Sequence, residues 1–111
     1  MIFITGPMFS GKRDVAGQLL RCSDAELADR CAFEVQELAA DCADLESLAD
    51  ELSRFDAVTA SEVGGGVVPL DPDEREARER AGRLACLLAA RADTVVRVFC
   101  GIPRVLKGEI K

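Results

Sequence analysis

Apolar positions follow two rhythms along the chain. Met1-Ile2-Phe3-Ile4-Thr5 is a short continuous apolar run of strand type, ended by Gly6. Val15, Ala16, Leu19 and Leu20 then recur at helical spacing, which predicts a helix after a brief loop. Phe55-Asp56-Ala57-Val58-Thr59-Ala60-Ser61 reads as a second strand that ends at Glu62. The strongest helix start lies at Asp71, where an N-cap aspartate precedes Pro72 at the first helical position and Glu74 three residues on. That helix should run to about Arg91. Ala77, Ala81, Leu84, Ala85 and Leu88 form its apolar face, and Glu74 with Arg78, Glu76 with Arg80 and Glu79 with Arg83 form i,i+4 pairs. Thr94-Val95-Val96-Arg97-Val98-Phe99-Cys100 is a β-branched strand closed by Gly101 and Pro103.

The middle is patterned less sharply. Ser23-Asp24-Ala25-Glu26 is a capping box for a short helix, Ala32-Phe33-Glu34-Val35-Gln36 reads as a short strand, and Leu45, Leu48, Ala49 and Leu52 place a helix over about Ala43 to Arg54. Strands alternating with helices predict an α/β fold, three layers with a small, mainly parallel sheet flanked by helices. Residues 1–111 are expected to form one domain, with no repeat, low-complexity tract or linker.

Between the first strand and helix lies Gly6-Pro7-Met8-Phe9-Ser10-Gly11-Lys12-Arg13, which follows the phosphate-binding pattern Gly-x-x-x-x-Gly-Lys-Ser/Thr up to its last position. In such a loop the glycines let successive backbone N–H groups face an anion, and the helix N-terminus adds partial positive charge. Lys12 would reach the terminal phosphates. The last hydroxyl normally serves Mg²⁺, and Arg13 stands in its place, so a metal would have to be held otherwise or more weakly.

Composition narrows the chemistry. The net charge is -6 with a sequence pI of about 4.6, which argues against a sequence-independent nucleic-acid binder. There is no histidine, so a Ser-His-Asp triad, a Cys-His dyad, a histidine-ligated metal and a phosphohistidine are all closed to this chain. The five cysteines, Cys22, Cys31, Cys42, Cys86 and Cys100, contain no C-x-x-C pair and read as thiols of a reducing cytosol. No basic segment precedes the apolar start and no stretch approaches the ~20 apolar residues of a membrane span, so neither signal peptide nor anchor is expected, and the location expected is cytoplasmic.

Three further sites have two readings each. Glu62, at the carboxyl end of a strand, would hold Mg²⁺ through water or accept a substrate proton, or else cap N–H groups of the following turn. Gly64, Gly65 and Gly66 would let backbone approach a ligand, or would form a turn at positive φ. Arg75 has no glutamate partner four residues upstream, which makes it a candidate phosphate contact, or simply an exposed helical arginine.

From Ala60 to Lys107 the chain resembles the bifunctional adenosylcobinamide kinase and adenosylcobinamide-phosphate guanylyltransferase family of cobalamin biosynthesis. Glu62-Val63-Gly64, Gly66 and Val67-Val68-Pro69 match that family's strand-end motif in register, and Arg75, Arg78, Gly82 and Arg83 fall on its arginine-bearing helix. Ala92-Asp93, Gly101-Ile102-Pro103 and Leu106-Lys107 complete the likeness. The resemblance implies two reactions, phosphorylation of the aminopropanol hydroxyl of adenosylcobinamide and transfer of GMP from GTP to the resulting phosphate. It implies GTP or ATP as co-substrate, Mg²⁺ with the nucleotide, a corrinoid substrate, and a homo-oligomer with sites between subunits. The chain departs from the family in five ways, two of which are Arg13 in place of the loop hydroxyl and Ala85-Cys86 in place of an Asn-Gln pair. It is shorter between the first helix and Glu62, Ser61 replaces an asparagine, and the histidine that becomes guanylylated has no counterpart. A covalent guanylyl-histidine route is therefore closed, leaving a transferase without that intermediate or a nucleotide-binding remnant that serves as a regulatory or partner subunit. A third reading is a small P-loop kinase for another alcohol or nucleotide.

Overall fold

The computed structural model describes residues 1–62 and 71–109. Among these, five strands make one sheet: β1 (Ile2–Gly6), β2 (Cys31–Ala32), β3 (Ala57–Ser61), β4 (Thr94–Phe99) and β5 (Ile102–Lys107). The helices are α1 (Lys12–Leu20), α2 (Asp24–Arg30), α3 (Leu45–Leu52) and α4 (Pro72–Arg91). Strand order is β2-β3-β1-β4-β5, parallel except for the last pair. The fold is thus α/β with a mostly parallel sheet, as the alternation of elements predicts.

Period-2 alternation splits the sheet between two cores. Phe3, Val58, Ala60 and Val95 face α3, α4 and the segment before α3, against Ala49, Leu52, Ala81, Leu84 and Leu88. Ile4, Ala57, Val96 and Val98 face the other way, against Val15 and Ala16 of α1 and Leu27 of α2. Each such buried Leu, Phe or Val contributes about 1.5–3 kcal/mol relative to exposure, and both faces of β1 are covered. Three layers result, with β1 at the centre and its carboxyl end flanked by those of β3 and β4. The chain leaves β1 toward one face and reaches α4, after β3, on the other, which is the crossover arrangement that opens a crevice at the strand ends.

The helix caps form as read. Ser23 Oγ accepts from Glu26 N–H at 3.3 Å, and Asp71 accepts from Asp73 N–H at 3.0 Å ahead of Pro72. α4 ends at Arg91 as expected, whereas α3 is shorter than its predicted span because Asp44 takes the N-cap and Ser53 the C-cap. Of the i,i+4 pairs on α4, Glu74–Arg78 forms at 3.7 Å. Arg80 donates instead to the carbonyls of Ala39 and Cys42, tying α4 to the segment before α3. No described helix is long and apolar enough to cross a membrane.

Two expectations need correction. The predicted strand over Ala32–Gln36 is extended only at Cys31–Ala32, after which Glu34 adopts the left-handed conformation and Val35–Leu38 coils into a 3-10 turn. Val35 and Ala39, four apart, are both buried by this turn, so tertiary burial overrides an alternation that looked strand-like. The strand ends before Gly101 as read, but Pro103 does not close the region. Gly101 makes a turn and Ile102–Lys107 returns as β5, antiparallel to β4, with Pro103 opposite Val98. All six β5 residues are exposed, so no alternation marks them, and Pro is tolerated because this is an edge strand.

Candidate active site

β1 delivers Gly6 to the carboxyl edge of the sheet. A Cβ on Gly6 would run into the Val98 carbonyl oxygen, so only glycine lets β1 pass β4 and turn here. Gly11, at φ 95°, is the N-cap of α1, and a Cβ there would sit 3.2 Å from the Gly101 Cα. The Gly101 N–H donates to the Ser10 carbonyl at 2.7 Å, so the β4–β5 turn braces the loop. Phe9 holds a left-handed φ of 60° and points into solvent, and Met8 is exposed beside it.

Lys12 is 5% exposed. Its ammonium donates to the carbonyls of Pro7 at 2.8 Å and Gly6 at 3.4 Å, and lies 3.8 Å from Glu34 Oε1. Ser10 Oγ is buried with no hydrogen-bond partner among the described residues, which leaves an unsatisfied polar group inside the loop. Arg13 brings no hydroxyl. Its guanidinium lies 4.6 Å from the centre of the Phe33 ring in a cation–π contact. Phe9, Ser10, Gly11, Lys12, Arg13, Phe33, Glu34 and Thr59 together line a cleft of about 280 Å³.

Glu34 is the cleft's one described carboxylate, and sequence reasoning placed no chemistry on it. Its Oε2 accepts from Ser61 Oγ at 2.6 Å and from Gln36 Nε2 at 2.7 Å, while its backbone N–H donates to Thr59 Oγ1 at 3.2 Å. Gln36 Oε1 in turn accepts from the Ser61 N–H at 3.0 Å. These contacts hold a non-glycine residue at φ 53° and ψ 46°, a conformation that costs on the order of 1–2 kcal/mol. Burial works to raise the Glu34 pKa, but the hydrogen bonds from Ser61 and Gln36 and the charge of Lys12 outweigh it, leaving the carboxyl below the ordinary value.

Glu62 sits at the same strand edge, its N–H donating to the Gly6 carbonyl at 2.8 Å. Both of its carboxylate oxygens are taken by Arg97 of β4, at 2.6 and 3.0 Å, in a bidentate pair that crosses the end of β1. The Arg97 hydrogen bond is the main reason its pKa falls below the usual range, with burial opposing and Lys12 assisting. The pair is exposed, so its worth to stability is small, but it fixes where the carboxylate is. Arg97 was predicted only as a strand residue.

Arg75 lies exposed in the first turn of α4 and does not line the cleft. Gly64, Gly65 and Gly66 lie outside the described residues. Cys31 is buried beneath α2, and that burial pushes its thiol up to about 12. Among the described residues no group of three or more His, Cys, Asp or Glu comes together, so no stand-alone metal centre is formed. The oxygen facing Lys12, Glu34 Oε1, is nevertheless a donor of the hard type that suits Mg²⁺ beside phosphate.

Acid should uncouple this edge. Both lowered carboxyls bind protons more weakly folded than unfolded, so their stabilisation is complete above the ordinary glutamate pKa of 4.5 and is lost as pH falls from there through the folded values. Melting temperatures read from pH 7 to pH 3 should therefore fall further for the unaltered chain than for the Glu34→Gln, Glu62→Gln double variant. Parallel curves would show that neither carboxylate is coupled to the fold.

No curated protein matches the chain. A family model described as cobinamide kinase / cobinamide phosphate guanyltransferase matches residues 24–106, which takes in β3, α4, β4, Glu34 and Glu62 and begins just after the loop and α1. With about three quarters of its length matched by that model, the chain belongs to the cobinamide kinase / cobinamide phosphate guanyltransferase family.

Proposed function

We propose that the chain binds GTP or ATP at the Gly6–Arg13 loop, in a P-loop NTPase-like fold, and uses it in the kinase step, the guanylyltransferase step, or both, of cobalamin biosynthesis. The observation that carries this reading is the buried Lys12 ammonium, held on loop carbonyls at the carboxyl end of the central strand. A phosphate oxygen is a better partner for that cation than either carbonyl, so ligand binding would draw it outward.

For phosphorylation of the adenosylcobinamide hydroxyl, the loop N–H groups and Lys12 supply positioning and charge neutralisation, which is most of what phosphoryl transfer needs. Arg13 adds positive charge at the mouth of the cleft. Bound together with the nucleotide, Mg²⁺ supplies further neutralisation of the phosphates. With no histidine, guanylyl transfer needs another nucleophile of the chain or direct attack by the substrate phosphate oxygen on the α-phosphorus of GTP, and we take the direct route. That step forms one P–O bond, breaks the α–β bridge and releases pyrophosphate. Glu62 enters as the carboxylate that orients Arg97 at the edge; a role as proton acceptor requires it to leave that arginine. A corrinoid substrate, a homo-oligomer with sites between subunits and a cytoplasmic location belong to the same reading.

Incubation of adenosylcobinamide with GTP or ATP, followed by mass spectrometry of small molecules and intact protein, tests it. The expected products are adenosylcobinamide phosphate or its GDP derivative, with no nucleotide left covalently on the protein. A stable guanylylated protein would overturn the direct route. A second reading, a nucleotide-binding subunit without catalysis, is favoured by Arg13 in the hydroxyl position and by the Arg97 clamp on Glu62. Nucleotide binding with no product from adenosylcobinamide would select it.

A further inference from the structure

We propose that Glu34 is the carboxylate that takes the nucleotide's Mg²⁺, replacing the loop hydroxyl that Arg13 displaces, with Ser61 as its positioning residue. The inference rests on the nucleotide-binding reading of the loop.

A divalent ion on a triphosphate usually keeps several waters and takes only one or two protein oxygens, so a single well-placed carboxylate is sufficient. Position 13 offers none, because its guanidinium is cationic and lies on Phe33. Glu62 has the right place in the sheet, but both of its oxygens are already engaged by Arg97. Glu34 differs in how its two oxygens are used. Oε2 takes both hydrogen bonds, from Ser61 and Gln36, whereas Oε1 takes neither and faces Lys12 at 3.8 Å. One oxygen anchors the group and the other is turned toward the cation that will bind the phosphates. The left-handed backbone at Glu34, fastened through its N–H to Thr59, fixes that orientation before any ligand arrives.

The buried Ser10 hydroxyl, 7% exposed and without a described partner on the same cleft, is independent evidence that this cavity is shaped for a polar ligand. Because no group of three ligands exists among the described residues, the ion would be held only together with the nucleotide.

GTP affinity measured by equilibrium dialysis, once in Mg²⁺ and once in EDTA, separates this role from a structural one. In EDTA the Glu34 carboxylate repels the bare triphosphate, and in Mg²⁺ it is attracted to the ion. Glu34→Gln should therefore bind GTP more tightly than the unaltered chain in EDTA and more weakly in Mg²⁺, cutting the enhancement by Mg²⁺ about 10–100-fold. Ser61→Ala should cut the enhancement in the same direction by less, and Glu62→Gln should keep it. An equal loss in both conditions for Glu34→Gln, or an enhancement that vanishes with Glu62→Gln instead, overturns the assignment while leaving the nucleotide site standing. Should Glu34→Gln fail to fold, by circular dichroism, Ser61→Ala decides, and an unchanged enhancement in that variant counts against the proposal. Absence of GTP binding by the unaltered chain in both conditions overturns the loop reading and the metal assignment with it.

Discussion

Lys12→Met is expected to abolish the rise in melting temperature that GTP produces, without unfolding the protein. Lys12 is buried, so its stem packs within the loop, and methionine keeps an unbranched stem of similar length while removing the ammonium. At a ligand concentration of about a hundred times the dissociation constant, binding adds ~2.7 kcal/mol to the native state, equivalent to roughly 10 °C in a domain of this size. With Lys12→Met that rise should disappear. The rate of any phosphoryl or guanylyl transfer should fall on the order of 10²–10³-fold, the usual cost of removing one preorganised donor to transition-state charge. The thermal scan and the turnover assay are read on the same preparations. A full GTP shift in Lys12→Met would mean that the nucleotide sits elsewhere, and the loop would lose its functional reading.

Gly6→Ala should damage the fold itself. The added methyl would meet the Val98 carbonyl oxygen and crowd Ser10 Oγ at 3.0 Å. Neither obstacle is a flexible side-chain tip that can swing clear into solvent. The Val98 carbonyl is backbone of β4, which pairs with β1 from Thr94 to Arg97 just before it, and Ser10 is buried with its carbonyl bonded to the Gly101 N–H. Relief therefore requires the two central strands to part or the loop to rebuild, at a cost of about 3 kcal/mol or more. A drop of roughly 12 °C or more in melting temperature corresponds to that figure. Gly82→Ala is the contrast, since nothing lies within 4 Å of a Cβ there and helix propensity favours alanine by about 1 kcal/mol. A Gly6→Ala protein as stable as Gly82→Ala would show that the strand-to-loop junction is not the tight passage drawn here.

How far the chain could be read depended on whether a feature is local. The capping box at Ser23, the Asp71-Pro72 start of α4 and the β-branched runs of β3 and β4 each announce themselves within a few residues, and each appears in the fold. The loop from Gly6 to Lys12 is likewise a contiguous motif, and the structure sets it at the strand end that the motif requires. β5 was silent because an edge strand exposed on both faces carries no alternation. The 3-10 turn at Val35 was misread because Phe33 and Val35 alternate as strand residues do.

The chain by itself determined most of the elements, the Gly6–Lys12 glycine-lysine motif and the exclusion of histidine chemistry, because propensity, capping and composition act over short spans or over none. Tertiary structure alone decided which carboxylate faces Lys12. Glu34 meets Ser61 across 27 residues, through the register of β2 on β3, and Glu62 meets Arg97 across 35, through that of β3 and β4 on either side of β1. No pattern within one segment encodes such a pairing. It exists only once the sheet has placed the ends of separate strands side by side.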